Sequence, residues 1–318
     1  MIESDDIASV LAPITITDSM IVSVTANGQP VPEDPNPQWN GATTYEAGGR
    51  VYAASTHRVY ESVKDGNFNK DPTDVSNQFN AAGVTTWWID IGPTNRYSMF
   101  DALISTQTAA PGPLVVTLRP GAFNGLAIFG LDADDLDILV VNTSTGETIY
   151  TYSAPLEGSM PADYYEYFFD PFKPQTKFIA TDIEPYSTSE IRITLSKASG
   201  NALVGMIALG DLRPLGAPLR GASVEPVSYS YVSTDAFGNT TIRKRSSATG
   251  LAIQAKMDLE DANTVLGTVQ ELLDVPVVVV GSTEPGYEAL TVFGLLSARL
   301  QYDDYGSPTL NATVKGLI

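Results

Sequence analysis

The chain has 318 residues, with 37 acidic against 18 basic side chains, a formal net charge of −19, one histidine and no cysteine. The absence of cysteine excludes disulfides, thiolate nucleophiles and Cys-based metal sites. The negative balance makes nucleic acid a poor partner, because phosphate binding depends on clustered Lys and Arg. A chain of this length is expected to form two or three domains. With 26 Gly, 21 Pro and abundant Thr, Ser and Val, it reads as many short strands joined by tight turns. It contains no uninterrupted apolar run of about eighteen residues, so no membrane insertion is expected. The acidic start, MIESDDIASV, lacks the positive charge that precedes the apolar core of a signal peptide; the expectation is synthesis in the cytoplasm without one.

Four segments follow in chain order. Residues 1–38 carry the apolar runs Ile14–Ile16 and Met20–Val24, the hairpin dipeptide Asn27-Gly28, and four prolines between Pro30 and Pro37. Such a proline stretch reads as a stiff connector or an extended arm. Residues 39–94 form a small aromatic module, with strands predicted at Arg50–Ala54, His57–Ser62 and Trp87–Ile91 and a polar loop between Lys64 and Thr85. Residues 95–218 predict an antiparallel β-sandwich, from strand candidates Leu114–Arg119, Gly125–Leu131, Asp137–Asn142, Thr148–Tyr152, Lys177–Asp182, Glu190–Ser196 and Ala202–Leu209. Ile191, Ile193 and Leu195 alternate onto one face. Residues 219–318 predict an α+β domain, with strands Val227–Ser233, Thr240–Arg245, Leu251–Met257, Val277–Val280, Leu290–Phe293 and Leu310–Val314. One amphipathic helix, Asp258–Leu273, carries Leu259, Ala262, Leu266, Val269 and Leu273 on its apolar face and Asp258 as N-cap; Pro276 stops it. The predicted fold class is therefore mainly β, with a single helix packed on a sheet at the C-terminal end.

Three groups of side chains are candidates for function. Trp39, Tyr45, Tyr52, Tyr60, Trp87 and Trp88 either form the core of the fifty-residue module or offer rings on which sugars stack. Adjacent strand residues face opposite sides, so at most one of Trp87 and Trp88 faces the core. Asp132, Asp134, Asp135 and Asp137 can offer oxygens to Ca²⁺ but lack the Gly and distal Glu of an EF-hand loop; a solvated turn is the competing reading, and no cofactor is expected. The acidic pair Asp303-Asp304, beside Tyr302 and Tyr305, reads as a surface turn. His57, the sole histidine, falls in a turn, and no Gly-x-Ser-x-Gly elbow or nucleotide-binding glycine phrase is present. A glycosidase would need only two suitably spaced carboxylates, but nothing in the residues singles out such a pair. The expectation is a protein that is not an enzyme.

The pattern from Trp39 through Thr43, Tyr45, Gly48, Val51, Val59-Tyr-Glu-Ser62 and Trp88 to Gly92-Pro93 resembles small chitin- or cellulose-type carbohydrate-binding modules. It is similar to the copy of that module found in bacteriophage tail proteins, of which Gly92-Pro-Thr-Asn-Arg-Tyr-Ser-Met-Phe-Asp101 resembles a characteristic continuation. Thr234–Arg245, the helix and Tyr287–Gly294 resemble the ending of the same proteins, and Ser189–Leu195 with Val204–Leu212 resembles the closing strands of galactose-binding-like sandwiches. The resemblance implies a structural component of a virion tail tip or baseplate, located in the virion. Its implied partners are further copies of itself (as a trimer or hexamer), other phage tail proteins and a host-surface glycan. A stand-alone carbohydrate-binding or adhesion protein is the alternative.

Overall fold

The computed structural model describes residues 6–156, 174–234, 237–244, 247–284, 286–302 and 306–317. Among them the fold is mainly β, in several antiparallel sheets, with two α-helices, Val75–Gln78 and Ala262–Glu271. The pair Asp303-Asp304 lies outside the described residues, as does Arg245 at the end of its predicted strand.

Two sheets enclose the largest core. A six-stranded sheet runs in the order Thr148–Pro155, Asp135–Asn142, Ser189–Ser196, Leu114–Leu118, Ile21–Ala26 and Gln29–Pro30. It turns Leu114, Val116, Leu136, Ile138, Ile191, Ile193 and Leu195 inward, as strict alternation requires. Facing it are Leu126 and Ile128 from Gly125–Phe129 and Ile207 and Leu209 from Met206–Pro218. Asn27 and Gly28 both have positive φ, 50° and 74°, as a tight hairpin turn between Ile21–Ala26 and Gln29–Pro30 requires.

The strand Met206–Pro218 continues beyond this core. Its first part pairs with Gly125–Phe129; from Gly210 onward it pairs with Ala8–Pro13. A Cβ on Gly210 would sit 2.0 Å from the Ala12 carbonyl oxygen, so no side chain fits where the strand changes partner. Beyond Ala8–Pro13 the order is Pro276–Val280, Thr291–Gln301, Thr309–Gly316 and Ser247–Lys256. The last pairs back to Met206–Pro218 through Ala217–Lys256 and Pro218–Ala255. Six antiparallel strands thus close into a barrel, which removes their free edges. Its interior holds Ala8, Val10, Leu215, Ile253, Val277, Val279, Leu296 and Ala312.

A third apolar cluster occupies the opposite face of the same bent sheet: Leu11, Ala127, Phe129, Met206, Ala208, Val278, Val280 and Phe293. Gly125–Phe129, the start of Met206–Pro218, and Val277–Val280 are therefore buried on both faces. That explains why they are written as uninterrupted apolar runs rather than as alternation.

Several expectations need correction. Ile14–Ile16 is not a strand; the first strand is Ala8–Pro13, and it is a barrel stave in the middle of the sheet. Strand pairing thereby crosses the expected boundaries at 38 and 218. Ala202–Leu209 is broken at Gly205, whose N–H bonds to Phe129 O. The helix spans Ala262–Glu271, and Asp261, not Asp258, occupies its N-cap position. Its buried face is Ala262, Val265, Val269 and Leu272, while Leu259, Leu266 and Leu273 are exposed. The expected stripe was rotated because both sets fit helical spacing, and the barrel mouth decides which one is covered.

Candidate functional site

The predicted aromatic residues divide into three groups. The module is built on the sheet Arg50–Ala53, Arg58–Ser62, Trp88–Pro93. Trp88 is 0% and Tyr60 2% exposed, and with Val51 and Ala53 they form the module core. The Trp88 indole N–H donates to Lys70 O at 2.8 Å, and its ring meets Tyr45 edge-on at 5.4 Å. Neither Trp88 nor Tyr60 can stack on a ligand, which corrects that part of the expected glycan surface. Trp39, Tyr45 and Trp87 pack half-buried at the core's rim. Tyr45 is fixed there by accepting from Asn40 N at 2.8 Å. The indole N–H of Trp39 is buried without a hydrogen-bond partner among the described residues. Trp87 carries the ammonium groups of Lys64 and Lys70 at 5.3 and 5.6 Å from its ring centroid. Each of these cations competes with a sugar for that ring. Tyr52 is half-buried on the strand Arg50–Ala53, where its backbone pairs with Pro37 and Trp39. The polar insertion holds the short helix Val75–Gln78, N-capped by the Asp74 side chain, and its last turn bonds back to Trp87 N.

The acidic cluster does not converge. Asp132 pairs with Lys197, Asp134 accepts from Ala198 N at 2.7 Å, and Asp137 accepts from the Ser153 hydroxyl. The strand begins at Asp135, two residues earlier than expected, so Asp135 joins Asp137 in it and leaves the preceding turn. Among the described residues no group of three or more His, Cys, Asp or Glu could hold a metal. The Ca²⁺ reading is withdrawn for this cluster.

The most developed polar constellation is one that residue patterns passed over. It lies where the module meets the body and is built from the segment Gly92–Asp101. The Asn95 backbone N–H donates to the Asp34 carboxylate, and its side chain clasps both sides of Ala109, donating to its carbonyl and accepting from its N–H. The Arg96 guanidinium donates twice to the Val31 carbonyl. Met99 is fully buried in the sandwich core. Tyr97 donates to Asp18 at 2.9 Å and stacks on His57 at 3.6 Å, with the rings 10° from parallel. His57, held at φ 52°, places Nδ1 2.8 Å from Glu33 and Nε2 3.1 Å from Asp18. Both ring nitrogens thus lie within hydrogen-bond distance of a carboxylate oxygen. Glu33 and Asp34 belong to the proline-rich stretch, which is therefore a clamped connector and not a free arm. His57 is more than the ordinary turn residue expected, because its partners are 24 and 39 residues away.

Electrostatics at this joint follow from the contacts. The Tyr97 hydroxyl, aided by His57 and opposed by burial, holds the Asp18 carboxyl below its ordinary value of 3.8. Burial first, and then the bond to Asp18, push the Tyr97 phenol up to about 12. The depressed carboxyl contributes stability above pH about 4 and loses it as pH falls through its lowered value. The raised phenol contributes fully below pH 10 and loses its share as pH rises toward 12. The joint is expected to hold between these limits. In an ultraviolet titration, Asp18→Asn should move one late-ionising tyrosine back toward 10. His57→Ala should cost about 1–2 kcal/mol in urea unfolding, because Glu33 is left half-buried and unpaired; His57→Asn, which tolerates positive φ, should cost less.

Elsewhere, Lys177 is mostly buried at the edge of the sandwich, and burial lowers its pKa. Its ammonium donates to the carbonyls of Glu288 and Thr291 at 3.3 and 3.1 Å, which ties sandwich to barrel. Asp101 is raised by burial but is held by Thr106 and Leu103 N. No helix among the described residues is long and apolar enough to cross a membrane. Comparison with protein-family models and with curated proteins finds no match for this chain.

Proposed function

We propose that this chain is a non-catalytic structural subunit of a bacteriophage tail tip or baseplate, working as a homo-oligomer beside other tail proteins. In this reading the central unit is a galactose-binding-like sandwich, and the aromatic module is a rigid appendage in the tail of the virion. The observation that carries it is the joint. The residues Gly92–Asp101, which resemble the phage-tail continuation, are used to weld the module to the body through Asn95, Arg96, Tyr97 and Met99. A module meant for mobile ligand capture would be tethered flexibly. Two further features support a presenting role: the module's best-buried rings are its own core, and both nitrogens of the sole histidine face carboxylates in the joint. The chain is expected in purified virions at a fixed ratio to other tail proteins, with antibody labelling confined to the tail end. Its absence from virions of a phage that encodes it would remove the proposal.

Glycan attachment is a secondary role, open to Trp39, Tyr52 and Trp87 as the rings with accessible surface. Saturable glycan binding lost in Trp87→Ala would support it, and silence across a glycan array would end it.

A further inference from the structure

The strands Ser223–Ser228 and Ser247–Lys256 pair as the last hairpin of the barrel sheet, and the same two chains run on as a separate ribbon, Tyr231–Thr234 against Thr240–Arg243. The ribbon's side chains are mostly solvent-exposed. Val232 and Ile242 are directly opposed across it and are 60% and 67% exposed; Tyr231, opposite Arg243, is 53% exposed. A two-stranded ribbon alone is only marginally stable in water, and an opposed β-branched apolar pair left in solvent is a docking feature. The segment Arg220–Arg245 holds four basic and two acidic side chains in a chain of net charge −19, so it is locally basic in an acidic molecule.

At the root of this hairpin, beside the helix Ala262–Glu271, is a groove of about 1000 Å³. Ile7, Met257 and Val265 give it an apolar floor, and Asp258, Asp261 and Glu271 stand on its rim. Two cations line it as well: Arg213, paired with Asp211 and Glu271, and Lys256. The groove therefore offers what the ribbon lacks: apolar cover for Val232 and Ile242, and carboxylates for Arg243 and Lys244. In its own chain the ribbon is held apart from the groove: the paired strands Ser223–Ser228 and Ser247–Lys256 lie between them, and no ribbon residue lines it. Leu219 and Lys256 line that groove, and Thr234 lies about 15 residues further along, roughly 50 Å of strand at about 3.3 Å per residue.

We propose that the ribbon Tyr231–Thr234/Thr240–Arg243 of one copy of this chain docks, through Val232 and Ile242, into the helix-side groove of a second copy. The inference deepens the assembled-subunit reading above by naming the self-contact. The two surfaces differ, so the contact is head-to-tail and propagates until the copies close on one another.

The test is light-scattering mass across a concentration series. Wild type should self-associate, and Val232→Glu with Ile242→Glu should weaken association at least about tenfold with an unchanged melting curve, since both side chains are solvent-exposed. Asp258→Lys with Thr264→Lys should do the same from the groove side. Mixing the two double variants should restore a one-to-one pair, because each supplies the surface the other lacks. Unchanged association in the ribbon variant, or no pairing on mixing, overturns this contact and leaves the assembly reading standing. A wild type that is monomeric throughout overturns the contact as well, and one that is also absent from virions removes both.

Discussion

Val10→Asp is expected to unfold the barrel outright. Val10 is fully buried on the strand Ala8–Pro13, between Arg213 of one neighbouring strand and Val279 of the other, and its side chain points into the closed interior. The cation directly across the ladder, Arg213, is already held by Asp211 and Glu271, so a carboxylate entering the apolar interior finds no free partner. An uncompensated buried charge costs several kcal/mol, about half or more of what holds an ordinary domain together. The damage should spread, because Ala8–Pro13 is the stave that joins Met206–Pro218 to Pro276–Val280. Losing it exposes two strand edges and opens the cluster around Leu11. Val22→Asp is the control: Val22 is also on an N-terminal strand but is exposed, and its replacement should cost under about 1 kcal/mol. Circular dichroism and urea unfolding of the two variants separate the outcomes. A folded Val10→Asp protein with a barrel of near-normal stability would show that the N-terminal strand is an accessory, not a stave.

The second large effect is expected at Trp88. Removing its indole in Trp88→Ala leaves a cavity among Val51, Ala53, Tyr45 and Tyr60 and strips Lys70 O of its donor. Aromatic-to-alanine changes in a core cost about 3–5 kcal/mol, more than a core of this size can absorb. Trp87→Ala loses only a half-exposed ring and its contacts with Lys64 and Lys70, worth about 0.5–1 kcal/mol each at an exposed site. Hydrogen exchange should show protection lost from Arg50–Ala53, Arg58–Ser62 and Trp88–Pro93 in the first variant and kept in the second. The sandwich and barrel should keep theirs in both. Equal losses at Trp87 and Trp88 would mean that the neighbouring indole is as much a part of the core.

What could be read from residue order alone was whatever depends on near neighbours in the chain. The Asn27-Gly28 turn, the alternation of Ile191, Ile193 and Leu195, the strand after Pro276 and the presence of one long amphipathic helix are local, since each follows from backbone sterics or side-chain period. The split between Trp87 and Trp88 was legible as a constraint, although which ring went inward was not. Period stopped being informative where strands are buried on both faces, as in Gly125–Phe129 and Val277–Val280. It was ambiguous on the helix, where two overlapping stripes compete and the barrel mouth chose Val265 and Leu272 over Leu266 and Leu273.

The joint was invisible for a different reason. His57 meets Asp18 and Glu33, and Arg96 meets Val31, across 24 to 65 residues, and no spacing rule relates positions that far apart. The same holds for the first strand. A short apolar stretch such as Ala8–Leu11 specifies that it will be covered, but not by what. Its place between Met206–Pro218 and Pro276–Val280 exists only once six strands have closed into a barrel and every backbone N–H and carbonyl must find a partner. Local chemistry determined the kinds of element in this protein; the demand that each edge and each apolar face be covered by something distant in the chain decided where they went.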